Sequence, residues 1–417
     1  MGRRLFLAFA ALITLLTGSS FSPAEGADFQ PVVATNPVDW TPHIRDGAVH
    51  AMTVVGDVAV VGGDFSKVSS ADGKTDYERW NLMAFSLTSG RVLPLRADLD
   101  GPVWALAPGP DGSVLVGGDF DQVDGVTNPG LARLDLATGR PSAGFDAWVD
   151  GDVRAIVVRG PWAYVGGWFG YADDVSRKAL ARIDARTGAL DRSFDAKLQA
   201  PEIGRAKVEG LAVSPAGDRL AVIGALTQAL GQKRVQVALL DISRPAVRLA
   251  DWSTDAYNPR CRRQFDTYLR DVDFSPDGEY FVIVTTGRMS APDLLCDTAA
   301  RFETYSSGSH KPTWVNHTGG DSLYAVAVTG TAVYVGGHQR WLDNPYGHED
   351  AGFGAVSRPG IAAIDPGSGR AMSWNPTRSR GEGLRAFVVC PQGLLVGSDT
   401  DQLGHEYHGR IGIFPPV

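Results

Sequence analysis

Seven side chains capable of chemistry recur at one place along this sequence, each directly after a valine or leucine. They are His50, Trp104, Arg154, Glu209, Arg270, Tyr324 and Arg385. Three are arginines, whose planar forks match carboxylate or phosphate, so the chemistry this set suggests first is capture of an anion. Glu209 with His50 would instead supply an acid and a base. A second set follows each Gly-Gly pair or its equivalent: Asp64, Asp119, Trp168, His338 and Asp399. Carboxylates beside an imidazole form the donor set of a divalent metal, or do acid–base work, with Glu209 or an Asp of this set such as Asp64 acting with His50 or His338. Both sets also admit a structural reading. The first would fill wedges between repeats and pair with neighbouring acids, and each Asp of the second would cap its own loop.

The elements that must position these residues come from an internal repeat. One unit reads Val103-Trp104-Ala105-Leu106, then Val116-Gly117-Gly118-Asp119-Phe120, then Leu131-Ala132-Arg133-Leu134-Asp135, then Phe145-Asp146, and the next begins again at Val153. Starts at Val49, Val103, Val153, Val208, Leu269, Leu323 and Leu384 mark seven units. A period of roughly fifty residues with four strand-like segments is the signature of a propeller blade. The expectation is an all-β, seven-bladed β-propeller with four antiparallel strands per blade. The last unit stops after its third strand, while Asp39-Trp40-Thr41-Pro42 resembles Ser373-Trp374-Asn375-Pro376 of the sixth. Residues 25–48 are therefore expected to complete the seventh blade and close the ring, joining 49–417 in one domain. Asp135, Asp184 and Asp365 open Asp-x-x-Thr/Ser-Gly turns, in which the carboxylate holds a backbone N–H. The tryptophans at 40, 252, 314 and 374 share one outer position and are expected to pack.

The first 24 residues read as a secretory signal, with Arg3 and Arg4, an apolar run from Leu5 to Leu16 and Ser22-Pro23-Ala24 as the cleavage region. That run is too short to span a bilayer comfortably, and no second long one follows, so no membrane span is expected. The net charge of −8, and the lack of any Lys/Arg run longer than two, argue against nucleic acid as a partner. In an exported chain Cys261 and Cys296, both in long loops on the same face, are expected to form a disulfide that pins a flap over the channel mouth. Cys390 is too far away to join them.

The motifs Val-Gly-Gly-x-Phe, Leu-Ala-Arg-Leu-Asp and Phe-Asp-x-x-x-Asp-Gly-x-Val resemble the delta-60 repeat family of secreted bacterial β-propellers. The resemblance covers units one to three and six, and part of the seventh. Units four and five depart from it, with Ile223-Gly224 and Thr285-Thr286-Gly287 in place of Gly-Gly. It implies the fold and export, to an extracellular or cell-wall location, and it transfers no catalytic motif. The function expected first is a binding module that recognises an extracellular glycan, small anionic ligand or protein at the channel mouth. The competing expectation is a hydrolase or lyase acting on a polysaccharide or other anionic substrate there. No cofactor follows from the motifs beyond the metal that the Asp/His arc would hold.

Overall fold

The computed structural model describes residues 32–262, 264–288 and 291–417. The signal reading of residues 1–24, and the first part of the 25–48 segment, lie outside the described residues. Among the described residues the chain is all-β, with only two single turns of 3-10 helix, Pro110–Gly112 and Pro201–Ile203. No helix is long and apolar enough to cross a membrane.

Seven antiparallel meanders carry the repeat. Their first strands are Val49–Val55, Val103–Pro108, Val153–Arg159, Lys207–Val213, Leu269–Phe274, Leu323–Val328 and Ala386–Cys390. Each packs beside the first strand of the next meander, and Ala386–Cys390 packs beside Val49–Val55. The second strands are almost wholly buried, as Ser113–Gly118 and Tyr280–Thr285 illustrate, because neighbouring meanders cover both of their faces.

The Gly-Gly pairs explain how closely the meanders approach. A Cβ on Gly117 would lie 2.4 Å from Val153 Cγ1 of the next meander, and one on Gly166 2.5 Å from Val208 Cγ1. One on Gly397 would lie 2.5 Å from Val49 Cγ1. The first glycine of each pair thus accommodates the branched anchor that begins the following unit. In the fourth meander Ile223 takes this place, and Gly210 replaces the small residue opposite it.

The fourth strand differs from expectation. Only the fourth and fifth meanders have one, Arg248–Leu249 and Trp314–His317. In the first, second, third and sixth, the outer segment makes a single bridge: Phe85 to Val92, Leu134 to Pro141, Ile183 to Leu190 and Ile364 to Ala371. Prolines, glycines and Asp-rich turns crowd these segments and leave too few consecutive N–H donors for a longer ladder. The outer tryptophans pack as expected. Trp252, Trp314 and Trp374 are buried, and the Trp374 indole N–H donates to the Ala34 carbonyl (3.0 Å). The turn aspartates also act as read: Asp135, Asp184 and Asp365 each accept the N–H and hydroxyl three residues on.

Two carboxylates that the repeat gave no reason to single out join the fifth meander to the sixth. Asp271 and Asp273 stand on the first strand of the fifth. Asp271 Oδ2 accepts the Val326 N–H (2.9 Å), and Asp273 Oδ2 accepts the Val328 N–H (2.8 Å). Burial pushes both carboxyls up to about 7, against the pull of their N–H donors. Both folded pKa values therefore lie above the unfolded one. The native state holds protons that the unfolded chain has released, and this stability is fully present below about pH 4 and lost as pH rises through about 7. Replacing Asp273 by Asn should flatten that part of the profile. In thermal melts the variant should gain on wild type between pH 5 and pH 8, and parallel melting curves would rule the effect out.

Candidate functional site

The mouth residues owe their position to a recurrent irregularity in the ladder. In the first six meanders the register between first and second strands slips by one at the residue after the anchor. Val49 pairs with Gly63 and Ala51 with Gly62, so His50 is left over. The same slip leaves over Trp104, Arg154, Glu209, Arg270 and Tyr324. A bulge re-aims its extra residue away from the alternation of the strand. Arg385 holds the corresponding place just before Ala386–Cys390, with its N–H on the Gly397 carbonyl (3.2 Å). All seven side chains line one cavity of about 610 Å³, together with Trp168, Lys207, Asp266 and Asp271.

Within it runs a ladder of rings and cations. The His50 ring stacks on Trp104 with centroids 4.2 Å apart. The Arg154 guanidinium lies 4.1 Å from the Trp104 ring and 4.6 Å from the Trp168 ring, and Lys207 Nζ lies 4.9 Å from Trp168. Lys207 ends the ladder on Asp266 (2.5 Å). Across the mouth Arg385 covers the Tyr324 ring at 4.8 Å. The Trp168 indole N–H donates to Glu209 Oε1 (3.1 Å).

The arginines of the mouth differ from Arg182, Arg340 and Arg378 elsewhere. Arg182 and Arg378 grip carboxylates at 2.5 Å, and Arg340 grips Asp321 at 2.8 Å. Arg154 has no hydrogen-bond acceptor among the described residues. Among the described residues Arg270 donates only to the Leu269 carbonyl (3.3 Å), and Glu382, at 3.7 Å, is the one carboxylate that Arg385 meets. Burial lowers the pKa of Arg154 and Arg270, with Glu209 opposing it and Arg385 adding to it. All three remain charged, since guanidinium does not deprotonate in proteins. His50 is the neutral member. Burial first, then Arg385 and Arg154, hold it down to about 3.

The second set is dispersed, Trp168 excepted. Asp64 Oδ1 accepts the Ala48 N–H (2.7 Å), with His50 Nε2 3.4 Å away. Asp399 accepts from Arg378 (2.5 Å) and from the N–H groups of Glu382 and Gly383. These are loop caps. Asp119 is exposed. His338 Nε2 accepts the Ser322 N–H (3.2 Å) and its Nδ1–H donates to the Glu382 carbonyl (3.1 Å), so both ring nitrogens are engaged. Among the described residues no three His, Cys, Asp or Glu side chains converge to hold a metal. This corrects the expectation of a divalent-metal arc: each carboxylate satisfies nearby N–H groups instead of turning to a common point. The acid–base pairings fare no better. Of these candidates only His50 and Asp64 come together, with Nε2 3.4 Å from Oδ1; no hydrogen bond joins Glu209 to His50 or His338 among the described residues, and His50, neutral down to about pH 3, is a weak base.

Cys261 and Cys296 form the expected disulfide. It ties down the segment whose residues Gln264 to Thr267 line the cavity, and Arg262 donates to the Arg288 carbonyl beside it. Cys390 is buried and free, its thiol 3.3 Å from the Gly393 carbonyl. Lys207, Asp266 and Asp271 are charged cavity residues that reading the repeat missed. The position of Lys207 just before Val208 was the only signal for it.

A family model described as a domain of unknown function, the DUF5122 β-propeller, matches residues 109–137 and 164–194, in the second and third repeats. It supports a β-propeller family for the chain. No curated protein matches this chain. Among solved structures, the crystal structure of the computationally designed Ika8 protein is similar at 13% identity with a TM-score of 0.49, covering 89% of this chain and 97% of that one.

Proposed function

We propose that this chain is a secreted, seven-bladed β-propeller that binds an anionic ligand at one mouth of its central channel. The seven meanders are its blades, and residues 33–44 complete the last of them. Support for the closed ring comes from the Ala34 N–H on the Pro415 carbonyl (2.8 Å), the Val38 N–H on Ile413 (2.9 Å) and the Ile44 N–H on Gly409 (2.8 Å). Export rests on the first 24 residues, and the disulfide is compatible with an oxidising compartment.

The observation that carries the function is the convergence of Arg154, Arg270 and Arg385 in one cavity with their N–H edges largely unengaged. Fixed cations whose forks no carboxylate of the described residues grips directly are the chemistry of an anion receptor, although Glu209 and Glu382 lie nearby. Binding is favoured over turnover because neither histidine near the mouth is placed or poised as a base.

The test is calorimetric titration with small carboxylates, phosphates, acidic oligosaccharides and neutral oligosaccharides. Acidic probes should bind in preference to neutral ones. The triple variant Arg154→Ala, Arg270→Ala, Arg385→Ala should lose at least about tenfold in affinity while keeping its melting temperature. An unchanged affinity would move the site away from this mouth.

A further inference from the structure

We infer that the ligand of this mouth is a compact anion carrying two or more oxyanion groups, gripped by guanidinium edges and not stacked on aromatic faces. The inference rests on the anion-receptor reading above and narrows it to a chemical class.

The aromatic faces come first. Two groups within 4.2 Å of the Trp104 centroid, the His50 ring and the Arg154 guanidinium, must lie on opposite faces of the indole. Trp168 is flanked by Arg154 and Lys207, and Tyr324 by Arg385. The rings that a neutral sugar would stack on already carry the protein's own cations. What they leave for a ligand is an edge. With an indole against each face, Arg154 keeps only its in-plane N–H groups, and that plane is where a fork engages a carboxylate or phosphate through two parallel bonds. The stacking also holds the guanidinium in place before any ligand arrives, so little side-chain freedom is lost on binding.

The number of such donors sets the valence. Arg270 has one of its N–H groups on the Leu269 carbonyl, and Glu382, at 3.7 Å, is the one carboxylate that Arg385 faces among the described residues. The Arg385 Nε–H and the Trp104 indole N–H are buried and find no acceptor among the described residues. A donor without a partner is costly away from water, so an occupant that brings several acceptor oxygens is favoured over one that brings two. One carboxylate fits one fork. Three forks and an orphaned indole N–H need more than one oxyanion group. Glu209, with Oε1 on Trp168, adds a fixed acceptor that suits a hydroxyl on the same ligand. A cavity of about 610 Å³ accommodates a molecule of that size. Polycarboxylates and phosphate esters share this chemistry, and the experiment separates them.

Titration should use two graded series on the full chain: butyrate, glutarate and propane-1,2,3-tricarboxylate for carboxylates, and inorganic phosphate, glycerol phosphate and pyrophosphate for phosphates. Affinity should rise at least about tenfold from butyrate to glutarate and again to the tricarboxylate, or along the phosphate series if phosphate is the natural group. Arg154→Lys, which keeps the charge and removes the fork, should cost the divalent probes at least about fivefold and butyrate much less. Equal affinity for one, two and three charges, all lost in the triple arginine variant, would overturn the valence while leaving the anion receptor intact. Binding of a neutral oligosaccharide that survives the triple variant would overturn the receptor reading itself, and this inference with it.

Discussion

A chain lacking residues 32–46 is expected to lose its cooperative thermal transition and to aggregate. The segment is small, but its partners lie at the opposite end of the sequence. Its backbone bonds to Gly409, Ile413 and Pro415, Arg410 donates to the carbonyls of Ile44 and Gly47, and the Val33 N–H donates to the Tyr334 hydroxyl. Val33 packs in a cluster with Tyr334, Trp374, Leu394, Val396 and Phe414. Removing it leaves the strand Ile411–Phe414 with an open, apolar edge, the template on which other chains pair. It also removes the backbone bonds between the segment and the last meander, so the first and last meanders keep the packing of Ala386–Cys390 against Val49–Val55 but lose this join. Calorimetry and size-exclusion chromatography should show a broadened, lowered transition and soluble aggregates, and a synthetic 32–46 peptide should restore part of the loss. A truncated chain that melts like the intact one would show that the ring does not depend on this join.

The second large effect is expected from Gly117→Val. A Cβ at Gly117 would sit 2.4 Å from Val153 Cγ1 and 2.9 Å from Ile156 Cδ1, and the branched side chain drives further into the same gap. Overpacking in a close-packed interior costs roughly 1–3 kcal/mol, and a clash between two anchored strands belongs at the upper end, about 3 kcal/mol. Gly170→Val is the control: a Cβ there meets only Asp150 Oδ2 at 3.5 Å, and the cost should stay within about 0.5 kcal/mol. Urea denaturation of both variants separates the two cases, and equal losses would deny the glycine its packing role. Because Arg154 follows Val153 directly, the Gly117 variant should also weaken anion binding, while Gly170→Val should not.

The inner strands were legible in the sequence because their anchors recur with a fixed period, and because Val-x-Ala-Leu alternation marks them as half-buried strands. The disulfide was legible because two loop cysteines, in a chain whose first residues read as an export signal, have few alternatives. The ring from His50 to Arg385 was legible as a position that varied where its neighbours did not. The bulge that creates this position was not, since register is a property of two paired strands and neither reveals it alone. The ladder through Trp104, Arg154 and Trp168 was hidden for a related reason. Its members lie one repeat apart, and only adjacency of the blades brings them into contact. Asp64, Asp399 and His338 misled because loop caps and metal ligands use the same residue types, and the difference lies in which backbone N–H is nearby. Asp271 and Asp273 went unnoticed because a carboxylate in an inner strand looks like a surface residue until its burial is seen.

The slip opposite each glycine pair has a consequence for how this protein can change. A residue extruded from the ladder carries little of the packing between anchors, so its identity is nearly independent of foldability. The proposed recognition set thereby draws on seven such positions, spread over the chain in sequence but gathered in one cavity beside Trp168, Lys207 and Asp266. Randomising those seven codons, with the glycines and branched anchors held constant, should yield a library in which most members fold and specificity is the variable trait.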